Sequence, residues 1–107
     1  MYKANNPKEL KNLLKKGSSP ILVTDQSSIK VVEVLESLKT KGVRFTARDK
    51  LLARVFGVCS DKVLSESTII VLSIVSAVTL ISLYAVYVDK PITLKFNTDG
   101  SVVLVIK

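Results

Sequence analysis

The chain contains no histidine and no tryptophan, one cysteine, four glycines and three prolines in 107 residues. Each shortage removes a class of function. A single thiol cannot pair within the chain, so there is no disulfide framework. Without histidine there is no Ser-His-Asp triad, no imidazole acid/base pair and no zinc finger. The glycines stand apart at Gly17, Gly42, Gly57 and Gly100 and form no phosphate-cradling loop. Collagen-like and low-complexity classes fail on the same counts. Tyr2, Phe45 and Phe56 are the only aromatic residues before residue 66, too few for a base-stacking platform.

What is present is unevenly spread. The formal charge is +7. Residues 1–65 hold 13 Lys+Arg and 6 Asp+Glu, whereas residues 66–107 hold three of each. Within the second part, Ser67 to Val88 is a 22-residue run without charge, glycine or proline, closed by Asp89, Lys90 and Pro91. A bilayer core needs about 20 apolar helical residues to cross. The length therefore predicts one continuous membrane-spanning helix over 67–88. Two alternatives remain: the central helix of a small soluble domain, or two adjacent buried strands. The strands require a turn, and the run has no Gly, Pro, Asn or Asp to make one.

For a span, the flanks set the orientation. Arg44, Arg48, Lys50, Arg54 and Lys62 precede it, and Lys90, Lys95 and Lys107 follow. The positive-inside bias places the N-terminal part in the cytoplasm and the protein in the inner, cytoplasmic membrane. Tyr84 and Tyr87 would then sit at the far headgroup layer. The lone Cys59 suits a reducing compartment.

The first 46 residues read as a basic α/β head. Asn6, Pro7 and Glu9 give a helix start, Leu10, Leu13 and Leu14 an apolar stripe, and Gly17 a stop. Ile21 to Thr24 is a short buried-type strand. Asp25 or Ser27 caps a second helix with Ile29, Val32, Leu35 and Leu38 inward, and Val43 to Thr46 is a candidate strand. Thr46 and Asp49 open a third helix, in a juxtamembrane segment over 47–65. That helix carries Leu51, Leu52, Val55 and Phe56 on one side. It packs on the head or lies on an anionic lipid surface.

After the hydrophobic segment (66–89), residues 91–107 predict a β-hairpin: alternating Ile92, Leu94 and Phe96, turn residues Asn97 to Ser101, and a return over Val102 to Ile106. Both faces of the return strand are apolar, so something must cover it. A single span puts the hairpin across the membrane from Ile21–Val23, where it needs a second subunit. A soluble fold lets it join that strand. The fold class is α+β either way.

The stretch Lys8-Glu9-Leu10-Lys11-Asn12-Leu13-Leu14-Lys15-Lys16-Gly17, followed by Ile21-Leu22-Val23-Thr24-Asp25, resembles the helix–strand opening of a group of small bacterial membrane proteins. That group has a lysine-containing connector, a hydrophobic segment and a short β tail. The resemblance implies a bacterial membrane protein and no particular site.

Chemistry along the chain is sparse. Glu33 and Glu36 are three apart on one helix face, a spacing open to acid/base use but ordinary on a solvated face. Asp25, Ser27 and Ser28 read as capping residues. Neither an enzyme nor a cofactor or metal site is expected. Lys8, Lys11, Lys15 and Lys16, with Arg48, Lys50 and Arg54, form a candidate anionic-surface contact: lipid headgroups, with a cytoplasmic protein or a nucleic-acid-like anionic ligand as further partners of the head. In the apolar run, Ser73, Ser76, Ala77, Leu80 and Tyr84 are candidates for a helix–helix interface in lipid. These features point to a small, non-enzymatic, homo-oligomeric membrane effector or pore subunit. The alternative is a soluble α+β interaction module of the antitoxin, immunity or phage-inhibitor type, with the apolar helix as its core.

Overall fold

Local sequence signals set most element boundaries in the computed structural model, which describes residues 1–57 and 66–107. The order is β1 (Tyr2–Ala4), α1 (Pro7–Lys16), β2 (Ile21–Val23), α2 (Gln26–Thr40), α3 (Ala47–Phe56), α4 (Glu66–Leu72), α5 (Ala77–Val88), β3 (Ile92–Phe96) and β4 (Val102–Ile106). Asn6 caps α1 by accepting the Glu9 backbone N–H at 2.9 Å, and its amide donates to the Glu9 carboxylate at 3.1 Å. Gly17 ends the helix at φ +71°, a left-handed conformation that a side chain would strain. Asp25 caps α2, and Thr46 with Asp49 forms a reciprocal capping box on α3. Cys59 and Lys62 lie outside the described residues.

The four strands form one sheet in the order β1-β2-β4-β3. β1 runs parallel to β2 through the α1 crossover; β4 runs antiparallel to both β2 and β3. The C-terminal hairpin is therefore inserted beside the head, with Ile21, Leu22 and Val23 opposite Leu104, Val103 and Val102. This overturns the arrangement in which a membrane separates hairpin from head. Ala4, Ile21, Val23, Val102 and Leu104 are fully buried, in a core completed by α1, α2 and α5. On the other face of β4, Val103 is 9% exposed between Leu22 and Lys95, while Val105 is 37% exposed. The cover expected on both faces is thus supplied chiefly on the inner one.

The expected single helix over 67–88 is also corrected. It is two helices, α4 and α5, bent by 113°. Serine chemistry makes the break. The Ser73 hydroxyl donates to the Ile70 carbonyl at 2.5 Å, and the Ser73 and Ile74 N–H groups reach back only three residues, which tightens the last turn. Ser76 then adopts an extended conformation and caps α5, accepting the Thr79 N–H at 3.1 Å. The 12 residues of α5 extend about 18 Å, against a hydrocarbon core of about 30 Å. No single helix among the described residues is long and apolar enough to cross a membrane; the bent pair passes only by combined length and composition.

Two further expectations fail for one reason. Val43 to Thr46 is not a strand, and Tyr84 and Tyr87 are not exposed anchors. Tyr84 is 2% exposed and Tyr87 fully buried. Tyr84 donates its hydroxyl to the Val43 carbonyl at 2.6 Å and meets Phe45 edge to face at 5.5 Å. These contacts hold the α2–α3 connector against α5, away from any sheet.

Candidate binding groove

Two basic helices pack on the same apolar one. Lys11 and Lys15 are four residues apart on α1, and Lys50 and Arg54 are four apart on α3. Spacing of three or four places side chains on one helical face. Both helices contact α5, and between them lies a groove of about 340 Å³. The four cations line it, with Val78, Ile81, Ser82, Ala85 and Val86 of α5 as its floor. Ile81 is 3% exposed and Val78 36%.

None of the four cations has an ion-pair partner among the described residues. Arg44 pairs instead with Asp89 at 3.8 Å, a contact of two largely exposed side chains that adds little stability. Four charges without an ion-pair partner among the described residues, set beside an apolar, low-dielectric wall, focus a positive potential into the groove.

The structure thus sorts the anion-contact residues expected from sequence. Lys11, Lys15, Lys50 and Arg54 converge. Lys8 faces an adjoining recess of about 740 Å³ that also includes Lys11, Asn5, Asp25, Ile74 and Ser76. Lys16 and Arg48 line neither. The floor was not read from sequence, although Val78, Ile81 and Ala85 have helical spacing; uniform apolarity of the run hides which face is outward.

The expected helix–helix interface residues have other engagements. Ala77, Leu80 and Tyr84 are buried in the chain's own core, Ser73 bonds the end of α4 and Ser76 caps α5. They do not form one face of a continuous helix. Glu36 accepts a hydrogen bond from Tyr87, which ties it to packing, and Glu33 is exposed. Among the described residues no three metal-ligating side chains come together.

No family model, no curated protein and no solved structure matches this chain.

Proposed function

We propose that this protein is a small, non-enzymatic binding module that captures an anionic partner in the groove between α1, α3 and α5. The observation that carries this reading is the convergence of Lys11, Lys15, Lys50 and Arg54, without ion-pair partners among the described residues, around an apolar floor. The pairing of the hairpin with Ile21–Val23 supports it, because head and tail then build one scaffold. Polyglutamate tests the reading directly. Saturable binding that weakens between 50 and 200 mM salt is expected, since the screening length shortens with salt, to about 10 Å at 0.1 M and about 8 Å at 0.15 M. Lys15→Glu with Lys50→Glu should abolish it. No saturable binding at low salt sinks the reading.

A second reading, surface attachment to anionic lipid, is favoured by Ile69, Ile70, Ile74 and Val78, which are exposed at the corner between α4 and α5. Lys8 and Lys11 border the recess beside Ile74. Co-sedimentation with phosphatidylglycerol vesicles, but not with phosphatidylcholine vesicles, is the outcome it requires.

A further inference from the structure

We infer that the occupant of the groove is an acidic amphipathic helix of a partner protein, an inference that rests on the anion-capture reading above. Three features select this occupant.

The first is the pairing of walls and floor. Lys11 and Lys15 on one wall and Lys50 and Arg54 on the other are each separated by four residues, about 6 Å of helical rise. Val78, Ile81 and Ala85 extend the floor over seven residues, about 10 Å or two turns. A helix laid in this trough matches it: an apolar stripe at i, i+3 and i+7 meets the floor, and carboxylates on both flanks meet the walls. An extended strand does not. Its side chains point to two opposite faces, so one face meets the floor and the other meets water, and its edges carry backbone groups instead of carboxylates.

The second feature is the size of the recess. A volume of about 340 Å³ is at the small end of the about 300–1,000 Å³ typical of enclosed small-molecule sites. It suits a few aliphatic side chains entering from above. A free inorganic anion would use the cations and leave the floor empty.

The third is the lining itself. Among the described residues no aromatic side chain lines the groove, so they offer no platform on which bases could stack. The charge pattern supplies attraction and orientation, and the floor supplies discrimination between an apolar-striped helix and any other acidic chain.

The test uses the full chain and two labelled peptides of about 18 residues, long enough to populate helix. One carries a leucine stripe flanked by glutamates at i and i+4. The other has the same composition in scrambled order, so its charge is equal and its stripe is gone. Fluorescence anisotropy should show the striped peptide binding about tenfold more tightly or better. Val78→Asp should erase that preference, and Lys15→Glu with Lys50→Glu should remove binding of both peptides. Circular dichroism establishes that the variants remain folded. Equal affinity for the two peptides overturns the helix inference and leaves anion capture standing. Binding of phosphatidylglycerol vesicles with neither peptide bound overturns it in favour of lipid. If neither the peptides nor polyglutamate bind, the anion-capture reading falls as well.

Discussion

Tyr87 of α5 donates its phenolic hydrogen to the Glu36 carboxylate of α2, across the contact that joins the C-terminal half of the chain to the head. The same ring carries Lys39, whose ammonium lies 5.4 Å from the ring centroid and donates to the Lys90 carbonyl at 2.8 Å. A fully buried phenol, a carboxylate and an ammonium thus close the seam between α2 and α5.

That seam makes stability sensitive to high pH. Burial first, then the hydrogen bond and negative charge of Glu36, push the Tyr87 phenol far above its ordinary value of 10.0. The folded protein holds the proton when the unfolded chain has already lost it. Below pH 10 both states are protonated and the contribution is complete; as pH rises above 10 the unfolded state gains, and stability falls. One proton gives a limiting slope of about 1.4 kcal/mol per pH unit. The diagnostic quantity is the difference between the native chain and a variant that lacks the phenol. Urea melts at pH 9, 10 and 11 should show a shallower decline for Tyr87→Phe than for the native chain. Equal declines would show that Tyr87 is not the group responsible.

The start of α5 at the bend should depend on the Ser76 hydroxyl. Ser76 accepts the Thr79 N–H at 3.1 Å and donates to the Thr79 hydroxyl at 2.9 Å. Removing such a cap costs about 1 kcal/mol, within a range of about 0.5–2. Ser76→Ala is expected to lower the urea midpoint accordingly. Ser82→Ala, in the same helix but with no capping role, should change stability by less than about 0.5 kcal/mol. Equivalent effects of the two substitutions would remove the capping explanation for the break.

The helix ends of the head were legible because their signals are local. Asn6 with Glu9, Gly17, Asp25, and Thr46 with Asp49 each act within a few residues, and each does in the structure what its position suggested. The hairpin was legible for the same reason: Asn97 to Ser101 concentrates turn residues between two β-rich segments, and Asp99 accepts from the Ser101 backbone at 2.9 Å. Where partners are distant in sequence, the signal was lost. Nothing local to Val102–Ile106 states that β2, some eighty residues earlier, is its neighbour. The three residues of β1 are too few to show a period. In the 67–88 run a serine cap sits among residues so uniformly apolar that a short helix, a long helix and a spanning helix share one pattern, and Ser76 read as a small residue of a helix–helix interface in lipid. The cations of the groove were recognisable individually, but only the packing of α1 and α3 on α5 selects four of the seven.

Two positions on the outer face of β4 should respond differently to charge. Val103 is 9% exposed and Val105 37%, although both point away from the helical layer. A carboxylate at Val103 must be taken out of water between Leu22 and Lys95, whereas one at Val105 can reach solvent. Val103→Glu is expected to destabilise by about 1–3 kcal/mol and Val105→Glu by less than about 1 kcal/mol. Thermal melts at neutral pH decide the matter; an equal or reversed order would contradict the burial of Val103.

The placement of the hairpin beside the head can be tested covalently. Leu22 and Val103 are direct partners across an antiparallel pair. Directly opposed residues place their Cβ atoms about 4.5–5.5 Å apart. A disulfide needs a Cβ separation of about 3.5–4.5 Å, within reach of a small backbone adjustment. With Cys59→Ser as background, Leu22→Cys combined with Val103→Cys should oxidise to an intrachain crosslink, seen as one linked peptide pair by mass spectrometry and as a monomer on a non-reducing gel. The control moves the second cysteine one strand further, to Lys95, which is opposite Val103 on β3. Strands are spaced about 4.7–4.9 Å apart, so Leu22→Cys and Lys95→Cys are separated by roughly two spacings, beyond the approximately 7 Å limit for Cα atoms joined by a disulfide. That pair should stay reduced or link between molecules. If the first pair fails to close within the chain, or closes no better than the control, the hairpin is not beside β2. The single scaffold on which the groove depends would then be lost.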